Sequence, residues 1–216
     1  MSTQPEIRVV VVDDHQMFAQ GLEVILGADP GIQVVAIAGT VEDGVAAVRI
    51  HSPDVVLMDY ELPDGDGATA TQRIKSEMPE TQVVMVTSFD DESVLVRAIE
   101  AGASGFITKH KAIQEVSSAV RAAKAGEALI SPSMLARLLP RLRHNPRGLG
   151  ADLTPRESEV LKMLAEGVSN QKIAENLVLS MHTVRNHVQN VITKLGAHSK
   201  LEAVATAMRE GLLRHS

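Results

Sequence analysis

Ile7-Arg8-Val9-Val10-Val11-Val12-Asp13-Asp14 is an aliphatic run closed by two carboxylic acids. It is too short for a stable helix. With Arg8 inside it and the acid pair behind, it also falls well short of the roughly 18 apolar residues of a membrane span. An unbroken run of branched residues predicts a strand apolar on both faces, the signature of a buried parallel sheet. Runs of the same kind recur at 33–38, 54–58, 82–86 and 105–108. Apolar residues fall at helical spacing over 18–26, 41–50, 68–76, 93–101 and 113–125. Five alternations of strand and helix predict a flavodoxin-like, doubly wound α/β domain with a five-stranded parallel sheet over residues 1–128. Ligands of such sheets bind beyond the C-terminal strand ends, so the residues closing each run carry the functional question.

Residues 129–149 break the pattern. A short helical piece at 134–139 is followed by Pro140, Arg141, Arg143, Asn145-Pro146, Arg147 and Gly148, a linker composition. From 150 to 216 the spacing is helical throughout. Thr154-Pro155-Arg156-Glu157 is a capping box with proline at the first helical position, opening a helix to about 165. Gly167 ends it, Ser169 caps a second helix over 170–177, and Ser180 caps a third running to 195. Gly196 stops that one, and 201–212 makes a fourth. Four short helices predict a small all-α domain.

The 216 residues carry a net charge of −6, are 44% hydrophobic and contain no cysteine. Disulfides, a thiol nucleophile and a thiolate metal site are therefore excluded. With 2% aromatic residues, single-strand binding by base stacking is disfavoured. A net negative charge argues against nucleic acid only if it is evenly spread. Residues 1–130 hold 20 acids and 9 bases, net −11, while 131–216 hold 7 acids and 12 bases, net +5. Opposite signs predict two domains with different partners. No basic segment followed by a long apolar one opens the chain, so a soluble, cytoplasmic protein without membrane contact is expected.

Asp13 and Asp14 close the first strand and Asp59 the third, which are neighbours in a parallel sheet of this kind. Three converging carboxylates repel one another unless a cation binds, and hard oxygen ligands select Mg²⁺. Thr87 closes the fourth strand and Lys109 the fifth, adding a hydroxyl and an ammonium to the same rim. Metal, ammonium and hydroxyl around one carboxylate are the requirements for phosphoryl transfer to Asp59. A single such residue is more often just a turn former, but acids, Thr and Lys on four strand ends point to a site. Gly65 and Gly67 read as a turn.

In the third helix of the basic half, Val184, Val188, Val191, Ile192 and Leu195 form one buried stripe. The other face presents His182, Arg185, Asn186, Gln189 and Thr193. Arg, Asn and Gln are the side chains that read base edges bidentately. The preceding helix joins through Val178-Leu179-Ser180, which gives helix, short turn and recognition helix, the geometry of major-groove binding to double-stranded DNA. Lys172, Lys194 and Lys200 are candidates for phosphates. An amphipathic helix alone is the default for any small helical domain, so the reading rests on the basic charge and the tether to the acidic domain.

These residues resemble a known family. Residues 5–126, with Asp13-Asp14, Asp59, Pro63, Gly67, Thr87, Phe106 and Lys109, look like a response-regulator receiver domain. Residues 150–213 resemble the LuxR-type helix-turn-helix domain through Leu153-Thr154-Pro155-Arg156-Glu157, Val160-Leu161, Glu166-Gly167, Ser169-Asn170, Ile173-Ala174, Thr183-Val184, His187 and Lys194-Leu195. The whole chain is similar to NarL/FixJ-type two-component regulators. The resemblance implies that Asp59 is the phosphoacceptor, served by a sensor histidine kinase. Asp14 would bind Mg²⁺ directly, Asp13 mainly through water, and Glu61 through its carbonyl. Thr87 and Lys109 would hold phosphoryl oxygens, and Phe106 would be the aromatic switch. It further implies Arg185 and Asn186 in the groove, Gln189 and Lys194 on or near the backbone, and a homodimer through Leu201, Val204 and Met208 of the last helix; His187 reads as a packing or a phosphate residue, packing first. Gln16, His110 and Lys172 depart from the usual family pattern. A regulator rather than an enzyme is expected. Two other readings stand beside it: a receiver acting as a phosphorylation-independent interaction module, and a Mg²⁺-dependent aspartyl-phosphate phosphatase with Glu61 as general acid.

Overall fold

The computed structural model describes residues 6–88, 92–130, 138 and 153–213. Most of the expected linker, including all but Leu138 of the helical piece at 134–139, lies outside them. The first domain runs β1 (Ile7–Val12), α1 (Gln16–Gly27), β2 (Ile32–Ala38), α2 (Val41–His51), β3 (Val55–Asp59), β4 (Glu61–Leu62) and β5 (Gly65–Asp66). It continues with α3 (Gly67–Glu77), β6 (Gln82–Thr87), α4 (Glu92–Glu100), β7 (Gly105–Thr108) and α5 (Lys109–Lys124). Five strands form one parallel sheet in the order β2-β1-β3-β6-β7. The chain leaves β1 on one side for β2 and returns on the other for β3. The ends of β1 and β3 therefore flank the switch point, where doubly wound sheets bind ligands.

Both faces of the central strands are buried, as the unbroken aliphatic runs require. Val9, Val11, Leu57, Val84 and Val86 pack under α1 and α5. Their neighbours Val10, Val12, Val56, Met58, Val83 and Met85 pack on the other face, under α2 and α3. The segment read as a turn instead contains a two-residue antiparallel hairpin, with Glu61 opposite Asp66 and Leu62 opposite Gly65. Gly67 is more than a turn former: a Cβ there would lie 2.1 Å from the Asp59 carbonyl oxygen. Only glycine lets α3 start against the functional strand end. Helix α5 begins at Lys109, four residues earlier than the apolar spacing suggested, because the Thr108 side chain caps it by accepting from the Lys111 N–H. Its first turn, Lys109-His110-Lys111, is polar and so invisible to hydrophobic periodicity.

The second domain contains α6 (Pro155–Ala165), α7 (Asn170–Leu177), α8 (Met181–Lys194) and α9 (Lys200–Arg209). Thr154, Ser169, Ser180 and Ser199 cap them in turn, Thr154 and Glu157 as a reciprocal box. The apolar cluster of these helices does not stop at the domain edge. Leu95, Val96 and Ile99 of α4 are buried in it with Leu161, Ile173, Val184, Leu201 and Val204. Leu129, read as the first linker residue, bridges Gly105 as a further parallel partner of β7.

Candidate functional site

The strand ends gather the expected acids. Asp13 and Asp59 are buried, at 3% and 4% exposure, while Asp14 is exposed. Lys109, delivered by the first turn of α5, puts its Nζ 2.7 Å from Asp13 Oδ2 and 2.7 Å from Asp59 Oδ2. The ammonium donates its hydrogen bond to Asp59. Asp13 Oδ2 is buried, and that same ammonium, 2.7 Å away, is its one close partner among the described residues. A buried carboxylate oxygen of that kind, with Asp14 and Asp59 alongside, is a donor set that fits a hard divalent cation.

Burial pushes the Asp59 carboxyl up, and the nearby Asp13 charge adds to this, so the net shift is upward despite the Lys109 hydrogen bond. Burial alone would pull the Lys109 ammonium down, but the hydrogen bonds and charges of Asp13 and Asp59 outweigh it and raise it. The lysine therefore stays charged. Thr87 ends β6, is buried, and sits across from Thr108 in the register. Phe106 on β7 packs against two clusters at once: the one beneath the sheet and the one α4 shares with the second domain.

The sequence reading missed His15. Its N–H donates to Asp13 Oδ1 at 2.8 Å, and its Nδ1 lies 2.7 Å from Asp14 Oδ1. It thereby joins Asp13, Asp14 and Asp59 in one group of potential ligand atoms within 4.8 Å of one another. The Glu61 side chain is exposed and outside that group. An acidic proton donor there is what the phosphatase reading needed.

In the second domain α8 buries Val184, Val188 and Val191 and leaves His182, Arg185, Asn186 and Gln189 exposed. Arg185, Asn186 and Gln189 line a cleft of about 1190 Å³ whose other wall is the receiver, with Lys75, Glu80, Lys124 and Glu127. Lys172 sits on the surface, paired with Glu175 at 2.9 Å.

Lys194, expected at the DNA backbone, has an inward partner in this structure. It ties the end of α8 to the start of α6 through Glu157 at 2.7 Å. Burial would raise Glu157, but Lys194 and the Thr154 hydrogen bonds dominate and hold it down at about 2. A carboxyl lowered on folding stabilises above its ordinary pKa and loses that contribution as pH falls through the folded value. Thermal unfolding followed by circular dichroism should thus lose stability between about pH 4.5 and 2. Glu157→Gln should remove that slope and cost about 1–3 kcal/mol at neutral pH.

The dimer stripe is also placed differently from its expectation. Leu201 and Val204 are 1% and 4% exposed, packed with α4, α6 and α8, and Met208 is partly buried against the same cluster. In this form the receiver and the helical core, rather than a second copy, cover them. Three further contacts join the domains. Ser199 Oγ donates to the Ala103 carbonyl at 3.0 Å, and Asn170 Nδ2 donates to the Ala125 carbonyl at 3.0 Å. Gly102, at φ +91°, lies so close that a Cβ would come within 2.8 Å of His198 Cβ. Neither the Ser199 cap nor the receiver partners of Ser199 and Asn170 were read from the sequence.

Comparison with known proteins agrees with both halves. Residues 9–121 match the response regulator receiver domain family, and residues 151–207 match the bacterial regulatory proteins of the luxR family. The chain is 36% identical over 209 residues to the transcriptional regulatory protein LiaR of Bacillus subtilis (strain 168), covering 96% of this chain and 99% of that protein. It is 34% identical over 208 residues to the response regulator VraR of Staphylococcus aureus (strain Mu3 / ATCC 700698), with coverage of 96% and 99%. The crystal structure of ChrA, the response regulator of a heme-sensing two-component system, is similar at a TM-score of 0.52 and 30% identity. That match covers 97% of this chain and all of the other. An acid-and-lysine site at the switch point of a parallel sheet, tethered to a helix-turn-helix, thus has full-length counterparts: the chain belongs to the response regulators that join a receiver domain to a LuxR-type DNA-binding domain.

Proposed function

We propose that Asp59 accepts a phosphoryl group from a sensor histidine kinase, and that this frees α8 to read promoter DNA. The observation that carries the reading is one ammonium, Lys109, held 2.7 Å from the carboxylates of both Asp13 and Asp59. Asp14, Asp59, the Glu61 carbonyl and, mainly through water, Asp13 would hold Mg²⁺, which supplies charge neutralisation between the attacking carboxylate and the phosphoryl oxygens. Asp59 attacks phosphorus in line while Lys109 binds one phosphoryl oxygen and the Thr87 hydroxyl donates to another. The new charge draws Thr87 toward Asp59, and Phe106 turns into the space behind it. Because Phe106 also packs on the cluster shared with α4, that motion loosens the contact between domains.

A recognition helix enters a major groove only with its outer face clear, and in the closed chain Arg185, Asn186 and Gln189 face the receiver across the cleft. Opening clears the space in front of them, beside His182 and Lys172, which already lie on the surface. It also uncovers the edge of the α9 stripe at Leu201, Val204 and Met208 for a second copy, so that a homodimer reads two half-sites. The protein is a regulator rather than an enzyme and works where bacterial promoter DNA is, in the cytoplasm. Binding of the full-length protein to an operator-bearing duplex, measured by fluorescence anisotropy, should tighten when acetyl phosphate and Mg²⁺ are added. Arg185→Ala should weaken the activated complex by about 1–3 kcal/mol. Equal affinity with and without the phosphodonor would instead favour a phosphorylation-independent receiver.

A further inference from the structure

We propose that Phe18 is a positioning residue of the acceptor site: its ring face holds the Lys109 ammonium at the point where Asp13, Asp59 and an incoming phosphoryl group meet. The inference rests on the phosphoacceptor role of Asp59 proposed above. Lys109 Nζ lies 4.9 Å from the centroid of the Phe18 ring, inside the roughly 6 Å reach of a cation–π contact. The same atom is 2.7 Å from each of the two carboxylates.

The ring is anchored to the acids by a short chain of backbone bonds. Asp13 Oδ1 accepts from the His15 N–H at 2.8 Å, and the His15 carbonyl accepts from the Phe18 N–H at 2.9 Å in the first turn of α1. The ring is half-buried against the apolar cluster that α1 shares with α5, and Lys109 is the first residue of α5. Two helix starts thus meet over one strand end, one bringing the ammonium and the other the ring.

A lysine ammonium is a compact charge on a flexible four-carbon stem, with three N–H donors to distribute. Were a carbonyl or carboxylate to hold it from behind, that group would take one of the donors. A ring face attracts the charge without accepting a directional bond, and leaves the donors for Asp13, Asp59 and the phosphoryl oxygens. With acetyl phosphate the balance is simple. An Asp59 carboxylate oxygen forms the new bond to phosphorus as the bond from phosphorus to the acyl oxygen breaks, and acetate leaves with the electron pair. Negative charge on the transferred group then sits where the ammonium is already held.

The test uses the full-length protein, acetyl phosphate and Mg²⁺. Phe18→Leu keeps the apolar packing but removes the charged ring face, so the labelling rate should fall roughly threefold to tenfold. Phe18→Trp should restore it, and pentafluorophenylalanine at position 18, with the ring shape kept and the face charge reversed, should behave like Leu. Mg²⁺ affinity measured by NMR without phosphodonor should be unchanged in all of them. The ε-methylene protons of Lys109 should show a ring-current shift in wild type and Phe18→Trp that Phe18→Leu lacks. A labelled wild type matched in rate by Phe18→Leu, or by the pentafluoro form, overturns the role of the ring alone. An unlabelled wild type overturns the phosphoacceptor reading and this role with it.

Discussion

Asp59→Asn should take up no phosphoryl group from acetyl phosphate or a cognate kinase, whatever the Mg²⁺ concentration. The substitution keeps the shape of the side chain and an oxygen able to accept from Lys109, so the strand end and the position of α5 are preserved. What is lost is the nucleophile, because a neutral amide oxygen does not displace a leaving group from phosphorus under these conditions. The expected effect is complete loss rather than a fractional change, and intact-mass spectrometry with and without donor reads it directly. Retained Mg²⁺-dependent labelling would move the nucleophile elsewhere. The wild type should also show a sign with pH. Burial raises the Asp59 carboxyl above its ordinary value, so labelling should drop on the acid side as the attacking carboxylate is protonated.

Ser199→Asp should open the closed chain without phosphorylation. Ser199 does two things at once: it accepts from the Glu202 N–H as the cap of α9, and it donates its hydroxyl proton to the Ala103 carbonyl of the receiver. Aspartate caps a helix as well as serine does, so α9 keeps its start. A carboxylate cannot donate, and at a site 4% exposed it leaves the Ala103 oxygen facing a negative charge. An unmade buried hydrogen bond costs about 1–3 kcal/mol, which shifts the balance between closed and open forms by roughly 5- to 150-fold. The operator affinity of the unphosphorylated variant should rise toward that of the activated wild type. Ser199→Ala loses the latch and the cap together and should also lower the melting temperature, so its comparison with Ser199→Asp separates the two roles. An unphosphorylated Ser199→Asp protein that binds DNA no better than wild type would show that this bond does not hold the domains shut.

Most of the candidate site at the strand ends was legible in order. Asp13, Asp14, Asp59 and Thr87 sit at or just past the ends of aliphatic runs. In a parallel sheet, the end of a run is a place in space as well as in sequence. Lys109 was found for the same reason, although the strand stops at Thr108 and the lysine opens α5. His15 and Phe18 were not legible as site residues. They follow Asp13 by two and five positions on a segment whose direction is set only when α1 packs against α5. Gly67 looked like a turn residue because its constraint, a carbonyl where a Cβ would be, belongs to a contact eight residues back.

In the second domain the caps of the first three helices and the stripes of the last two could be read, since hydrogen bonds to the first turn and a 3.6-residue apolar period are local. Lys194 and the α9 stripe were assigned outward partners and found inward ones. Charge type and amphipathicity say that a side chain needs a partner, without saying which. The sequence by itself determined two halves of opposite charge, an acidic one whose strands end in carboxylates and a basic one of capped, amphipathic helices. Only the tertiary structure decided that they are closed on one another through α4, Ser199 and Asn170, because the donors and apolar faces that meet there lie up to 96 residues apart along the chain. Each of them is satisfied by a neighbour that no local period could specify.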